Sequence, residues 1–197
     1  MPAARIATVR RKTKETDIAV TVNLDGNGTA RIATGLGFLD HMLDLFARHG
    51  YFDITIAARG DLDVDAHHTV EDLGIVLGEA FAKALGEKKS ITRFGFFTLP
   101  MEDSLATVAA DLSGRPFLAY RVTYPTSKTG KFETGLVKEF LAAFANNARM
   151  NLHVTVPYGD NSHHIAEAIF KAAGRSLEAA TRRNPREKGV PSTKGKL

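Results

Sequence analysis

Two short segments of the sequence repeat the same chemistry-bearing pattern. Residues 67–71 and 163–167 both read His-His-x-x-Glu. Imidazole suits zinc, copper, iron and nickel, whereas carboxylate favours manganese or magnesium. The pattern therefore predicts metal binding but leaves the metal open. It also differs from the His-Glu-x-x-His motif of zinc hydrolases, in which two histidines four residues apart bind one ion.

On a helix, the two histidines of each cluster point in different directions. Successive helical residues lie about 100° apart, whereas residues three or four apart share a face. Viewed along the helix axis, the Glu71 side chain thus points between the directions of His67 and His68. One histidine can pair with Glu71 while the other reaches elsewhere. We therefore expect two metal sites, or sites shared between halves of the chain or between subunits. The alternative, in which the histidines cap helices and bond within the core, explains a repeated five-residue pattern less well.

The elements that must position these clusters repeat along the chain in the same order. Each half has an alternating strand that ends in a turn, then an amphipathic helix, a short strand, and a helix that opens at the histidine pair. The matching segments are residues 17–26 and 104–114, 38–46 and 137–144, and 52–57 and 151–156. The helices are apolar around much of their circumference, which is typical of buried helices.

This repetition predicts a duplicated α/β (α+β) fold in which two mostly antiparallel four-stranded sheets flank a helical layer. We place the first half at residues 1–91 and the second at residues 92–181. Residues 182–197 are rich in proline, glycine and lysine and are expected to form a C-terminal tail.

The composition limits the class of protein. A chain of 197 residues that is 44% hydrophobic fits one ordinary domain with a proper core. No apolar stretch is long enough for a transmembrane helix, and the basic residues 1–14 have no apolar run behind them, so we expect neither a membrane protein nor a secretory signal. The absence of cysteine suits a cytoplasmic protein, and the net charge of +4 permits a phosphate or nucleic-acid partner without choosing between them.

Several longer motifs resemble those of the imidazoleglycerol-phosphate dehydratases. They are Gly-Phe-Leu-Asp-His-Met-Leu at 37–43, Arg-His-Gly at 48–50, Asp-Ala-His-His-Thr-Val-Glu-Asp at 65–72, Arg-Phe-Gly at 93–95, Leu-Ser-Gly-Arg-Pro at 112–116, Asn-Ser-His-His-Ile-Ala-Glu-Ala at 161–168 and Pro-Ser-Thr-Lys-Gly at 191–195. The resemblance covers the chain from about residue 10 to the C-terminus. Because these motifs are long and rarely found elsewhere, the resemblance is specific.

The resemblance implies a fold of the ribosomal protein S5 domain 2-like kind and two manganese ions (Mn2+) in each active site. Carried over residue by residue, the metal ligands are His41, His67, His68, Glu71, His153, His163, His164 and Glu167. It also implies a homo-oligomer, a 24-subunit shell with active sites at subunit interfaces. The two halves have diverged outside the clusters, since His41 aligns with Glu139 and His153 aligns with Thr55. His49 matches a family position, but we interpret it as structural.

The implied reaction belongs to histidine biosynthesis: D-erythro-imidazole-glycerol phosphate loses water to give imidazole acetol phosphate. The hydrogen to be removed is not acidic, but an imidazole held between two cations can become an imidazolate, whose ring electrons expel the hydroxyl group. A diazafulvene-like intermediate with an acidic C–H results, and the reaction still needs a proton donor and a base. Glu15 matches a family glutamate with such an acid/base role. A metal ligand such as His41 or Glu71 is the alternative base.

The substrate's phosphate requires cationic and polar partners. The resemblance points to substrate-binding roles for Glu15, Arg93, Arg115, Lys171, Ser192 and Lys194. Ser192 and Lys194 lie in the tail, which we expect to become ordered over the site on assembly. Two positions depart from the family pattern: Leu45 replaces a common glutamine, and Glu102-Asp103 inverts the expected order of the two acids.

Two other functions compete with a dehydratase. A metallohydrolase could use the same clusters to activate water. A non-enzymatic RNA-binding protein would use the basic residues 10–14 and 182–196, but these contain no aromatic residue, and RNA binders usually interleave aromatic with basic residues. We therefore expect a small phosphorylated imidazole as the partner, and neither nucleic acid nor a membrane.

Overall fold

The described part of the chain, residues 4–197 of a computed structural model, contains four helices and ten strands. The first group of elements is β1 (Ile6–Lys12), β2 (Thr16–Asn23), β3 (Ala30–Ala33), α1 (Gly37–Gly50), β4 (Asp53–Gly60) and α2 (His67–Leu85). The second group is β5 (Phe94–Met101), β6 (Ser104–Asp111), β7 (Phe117–Arg121), β8 (Lys128–Thr129), β9 (Phe132–Glu133), α3 (Gly135–Ala148), β10 (Asn151–Tyr158) and α4 (Ser162–Thr181).

The two large sheets have the same topology. The first has the order β1-β2-β4-β3 and the second has the order β5-β6-β10-β7. In each sheet the last strand pairs in parallel and the other neighbours are antiparallel. This confirms the predicted duplication and the two mostly antiparallel four-stranded sheets. The short hairpin β8–β9 between β7 and α3 was not predicted, and the described residues of the first half contain no counterpart of it.

The helices form the layer between the sheets. Strand β2 shows why, because its alternate residues Ile18, Val20 and Val22 are fully buried on one face. Helix α2 packs on β1 and β2, and α4 packs on β5 and β6, while α2 also packs against α3 and α1 against α4. The contact between α1 and α4 is the one that matters for the site, because it joins the two halves at the start of α4. Within residues 4–197, none of these helices is long and apolar enough to cross a membrane.

The C-terminal tail packs on its own chain. Ser90 donates its backbone N–H to the carbonyl oxygen of Gly189 at 2.8 Å, and Arg93 donates a guanidinium N–H to the carbonyl oxygen of Pro191 at 2.8 Å. A Cβ atom added to Gly114 would meet the carbonyl carbon of Leu197 at 2.8 Å, so the end of the chain lies directly over this glycine. These contacts bring the tail next to the start of β5.

Candidate functional site

Three side chains with metal-binding groups meet at the start of α4. His41, from α1, and His163 and Glu167, from α4, place their ligand atoms within 4.8 Å of one another. The Nε2 atom of His41 lies 3.6 Å from Oε2 of Glu167, and the Nε2 atom of His163 lies 3.2 Å from the same oxygen. We call these residues the His41 triad.

Local sequence explains why each histidine pair stands in the first turn of a helix. Asn161 precedes α4, and its side-chain oxygen accepts the backbone N–H groups of His163 at 2.8 Å and His164 at 3.4 Å. Asp65 accepts the backbone N–H of His67 at 2.7 Å in the first half. Asn161 is the N-cap residue of α4, a position at which asparagine is favoured because it satisfies N–H groups that have no partner within the helix. In α2 the N-cap residue is Ala66, and Asp65, one residue earlier, satisfies an N–H group in its place.

Glu167 is the buried member of the triad, with 7% of its surface exposed. Burial alone would raise the pKa of its carboxyl group, but the Lys171 ammonium and the neighbouring His41 outweigh burial and lower the pKa below its ordinary value. The Nζ atom of Lys171 lies 2.5 Å from Oε1 of Glu167, so one carboxylate oxygen faces the lysine and the other faces the histidines. The triad therefore presents a charged carboxylate and two imidazoles.

The first-half cluster has a similar but more open arrangement. The Nε2 atom of His67 lies 3.8 Å from Oε2 of Glu71, and both side chains are about half exposed. The rings of His67 and His68 are nearly perpendicular, at 88°, and those of His163 and His164 are at 81°. As helix geometry predicts, the first histidine of each pair approaches the glutamate while the second turns elsewhere.

The second histidine of each pair contacts an aspartate. The Nδ1 atom of His68 lies 3.0 Å from Oδ2 of Asp61, and Nδ1 of His164 contacts Oδ1 of Asp103. These hydrogen bonds raise the pKa of both imidazoles, and the bond from His164 lowers the pKa of Asp103. Sequence reasoning missed Asp61 and left Asp103 unassigned. The repeated Gly-Asp dipeptide before each histidine pair was the available signal for Asp61.

Other candidate ligands and acids lie outside the triad. His153 is exposed on the outer face of the second sheet, since its neighbours Leu152 and Val154 point into the core. Glu15 is exposed in the turn between β1 and β2, with its Oε2 atom 3.9 Å from Nδ1 of His68. His49 is half-buried, and burial followed by the charges of Lys171 and Arg175 lowers its pKa.

Most of the predicted phosphate-binding residues line one cleft of about 910 Å³ under the tail. Its polar and charged lining residues include Arg93, Arg115, Arg149, Ser192, Lys194 and Lys196. Lys171 does not belong to this cleft. It lies against Glu167 instead, because residues four apart on a helix share a face. Arg93 is paired with Asp111, with Nε 2.7 Å from Oδ1.

Comparison with known proteins assigns the chain to a family. The model of the family described as imidazoleglycerol-phosphate dehydratase matches residues 34–177. A protein of that name from Methylorubrum populi is 57% identical over 194 residues, which cover 98% of this chain and 100% of the relative. One from Geobacter metallireducens is 56% identical over 194 residues with the same coverage. The chain belongs to the imidazoleglycerol-phosphate dehydratase family.

Solved structures of imidazoleglycerol-phosphate dehydratases support the fold. The enzyme from Staphylococcus aureus matches with a TM-score of 0.83 and 38% identity, over 91% of this chain and 99% of that one. The enzyme from Pyrococcus furiosus matches with a TM-score of 0.83 and 40% identity, over 96% and 100% of the two chains. As a member of this family, the chain is a dehydratase, that is, a carbon–oxygen lyase.

The donor atoms of the imidazoleglycerol-phosphate dehydratase site fit a divalent metal ion. Glu167 supplies a buried anionic oxygen, and His41 and His163 supply Nε2 atoms that face it. Two imidazoles and one carboxylate form a mixed nitrogen and oxygen donor set, which suits transition metals and manganese. Lys171 neutralises part of the carboxylate's charge from the opposite side.

Proposed function

We propose that this dehydratase removes water from imidazoleglycerol phosphate, giving imidazole acetol phosphate in histidine biosynthesis, and that it requires Mn2+. The grouping of His41, His163 and Glu167, in a chain of this family, is the observation that carries the proposal. The triad would hold one ion, and His67 with Glu71 would contribute to a second. When bound, the ions would act as Lewis acids and as a template that orients the imidazole.

The remaining candidate ligands favour sites shared between copies of the chain. His153 projects from the outer face of the second sheet, whereas α4 packs on the inner face of that sheet. Within one chain, therefore, His153 cannot join the triad around one ion. We propose that His68, His153 and His164 complete sites at subunit interfaces of a homo-oligomer, with the family's 24-subunit shell as the expected form.

The chain's own acid/base group in this proposal is Glu15. Dehydration needs a donor that protonates the departing hydroxyl group and a base that accepts the hydrogen from carbon. Glu15 is exposed beside the first histidine cluster, where it is accessible to a substrate bound there. His41 and Glu71 are the alternative bases, but in this proposal each of them is also a metal ligand.

The tail cleft supplies the phosphate subsite of the proposal. Arg115 is exposed in this cleft, and Arg93 helps to fix the tail over it through Pro191. We expect Arg115→Ala to raise the KM for substrate about 10- to 100-fold, because a hydrogen bond to a charged group contributes about 1.5–3 kcal/mol. Steady-state kinetics would measure this, with Arg31→Ala, an exposed arginine on β3 of the first sheet, as the control. An unchanged KM would remove Arg115 from the subsite.

The outer face of the second sheet has the character of a subunit interface. Phe96 and Phe117 are 73% and 55% exposed, and the Phe117 ring lies 5.8 Å from that of His153. Exposed aromatic patches commonly mark interaction surfaces. We expect Phe96→Glu to dissociate the oligomer, and analytical ultracentrifugation would measure it. Thr8→Glu, at the corresponding position of the first sheet, is the control. An intact Phe96→Glu assembly would exclude this face.

A product assay decides between this function and the hydrolase alternative. With imidazoleglycerol phosphate and Mn2+, we expect stoichiometric imidazole acetol phosphate and no free phosphate. Release of inorganic phosphate, or hydrolysis of an amide substrate at a comparable rate, would indicate a metallohydrolase instead. The assay needs only the purified chain in its assembled form.

A further inference from the structure

The second histidine of each cluster bonds to an aspartate, but the two aspartates come from different places in the fold. Asp61 directly follows β4 and accepts the Nδ1 hydrogen of His68 at 3.0 Å. Asp103 lies in the turn between β5 and β6 and accepts the Nδ1 hydrogen of His164. Because an ionised carboxylate can only accept hydrogen bonds, Nδ1 must be the donor in both cases.

The duplication shows which residues are counterparts. Glu15 directly precedes β2, and Asp103 directly precedes the equivalent strand β6. Gly60 and Gly159 are counterparts too, because a Cβ atom on Gly60 would meet Thr69 at 2.0 Å and one on Gly159 would meet Ile165 at 2.7 Å. Thr69 and Ile165 each directly follow a histidine pair. It follows that Asp61 corresponds to Asp160, just as Glu15 corresponds to Asp103.

In the second half, both oxygens of the carboxylate in the turn accept hydrogen bonds. Oδ1 of Asp103 accepts from His164, and Oδ2 accepts the backbone N–H groups of Asp160 at 2.6 Å and Asn161 at 2.9 Å. Only residues 161–162 separate Asp160 from His163. This short connection keeps the backbone of Asp160 next to Asp103, in the turn between β5 and β6. Asp160 itself is exposed.

In the first half, the aspartate that follows the strand contacts the histidine, and the acid in the turn does not. Residues 62–66 form a longer connection between Asp61 and the histidine pair, and the Asp61 carboxylate reaches His68. The backbone N–H of Asp61 donates to the main-chain carbonyl oxygen of Glu15 at 3.1 Å. It therefore does not bond to the Glu15 carboxylate, whereas the N–H of Asp160 does bond to the carboxylate of Asp103. At 3.9 Å from Nδ1 of His68, the Glu15 carboxylate is beyond hydrogen-bonding distance.

We propose that Asp61 and Asp103 are positioning residues for His68 and His164, and that Asp61, by holding His68, leaves Glu15 free for proton transfer. A carboxylate that accepts from Nδ1 fixes the tautomer in which Nε2 carries the lone pair and is available to a metal. The inference rests on the proposed function, because that function assigns both histidines to metal binding. The carboxylates at the two equivalent turn positions thus have different roles: Asp103 orients a metal ligand in the second half, whereas Glu15 acts on the substrate in the first half.

The two halves should respond differently to loss of the aspartate. Asp103→Ala should weaken Mn2+ binding by about 10- to 100-fold, the usual effect of losing an outer-shell partner, and Asp103→Glu should restore it in part. Asp61→Ala should weaken Mn2+ binding less, because Glu15 is close enough to replace Asp61 at His68. Its kcat should still fall, because Glu15 is then engaged.

The double variant Glu15→Ala/Asp61→Ala separates positioning from proton transfer. Glu15→Ala alone should keep wild-type Mn2+ affinity and lose kcat, whereas the double variant should also lose affinity by about 10- to 100-fold. Mn2+ affinity would be measured by titration calorimetry on the metal-depleted assembly, and kcat in the dehydration assay. Asp160→Ala, at the counterpart of Asp61, is the control and should match the wild type in both.

Specific results would overturn the inference. It fails if Asp103→Ala binds Mn2+ like the wild type, or if the double variant binds as tightly as Glu15→Ala. If Asp103→Ala does not assemble, Asp103→Asn takes its place; because it keeps an acceptor oxygen and loses only the charge, a smaller loss of Mn2+ affinity is expected, and wild-type affinity in this variant would also overturn the inference. A wild type that is active but binds no Mn2+ would overturn the proposed metal function, and this inference with it.

Discussion

Glu167→Gln should abolish both metal binding and dehydration. The substitution removes the anionic oxygen that faces His41 and His163, and it leaves Lys171 without its ion-pair partner in a largely buried position. Because Glu167 is proposed as a direct ligand, the loss should exceed the roughly 10- to 100-fold that loss of an outer-shell partner costs. Metal content by elemental analysis and kcat in the dehydration assay would be measured together.

The matched control for Glu167→Gln lies on the same helix. Glu178 pairs with Arg182 four residues later, as Glu167 pairs with Lys171, but this pair lies at the far end of α4, where the Arg182 side chain is 63% exposed. Glu178→Gln should leave metal content and kcat unchanged, because Glu178 lies about three helical turns beyond Glu167 and contacts no residue of the triad. Wild-type metal content and rate in Glu167→Gln would exclude Glu167 from the metal centre.

Gly95→Ala should be clearly destabilising, although the substitution adds only one methyl group. A Cβ atom at Gly95 would lie 1.9 Å from the carbonyl oxygen of Ser176 and 2.8 Å from the backbone nitrogen of Ala180, so β5 and α4 would have to separate. The bond from Ser176 Oγ to the carbonyl oxygen of Gly95, now 2.8 Å, would be strained as well. Overpacking of this kind costs about 1–3 kcal/mol, occasionally more.

Urea denaturation of the assembled protein would measure the loss in the free energy of unfolding. Gly135→Ala is the control, because Gly135 begins α3 and a Cβ atom there would meet no atom of residues 4–197 within 4 Å. The control should be neutral or slightly stabilising, as alanine is the better helix former. Equal stability of the two variants would contradict the close approach of β5 to α4.

The duplicated fold could be predicted because its signals are local. The alternation of apolar and polar residues in β2 and the helical periodicity of apolar residues in α1 each indicate which side of the element is buried. Both patterns recur in the second half. The alignment that places His41 opposite Glu139 agrees with helices α1 and α3, which begin at Gly37 and Gly135 and have equal length. Leu45 is partly buried against the core, which is consistent with its apolar side chain at that position.

The site could be predicted only in part, because its geometry depends on contacts between distant segments. The approach of His41 to Glu167 arises from packing of α1 on α4, and no spacing in the sequence records this. Asp103 meets His164 only because the β5–β6 turn lies over the start of α4. By contrast, the pairing of Lys171 with Glu167 follows from their separation by four residues, so this signal was present in the sequence and was overlooked.

Metal analysis of the purified assembly, combined with the dehydration assay before and after chelation, tests the central claim most directly. We expect two Mn2+ per active site, loss of imidazole acetol phosphate formation when the metal is removed, and recovery when Mn2+ is returned. His164→Ala should lose both metal and activity. Full dehydratase activity in metal-free wild-type protein would contradict the claim that the two histidine clusters build a metal-dependent dehydratase centre.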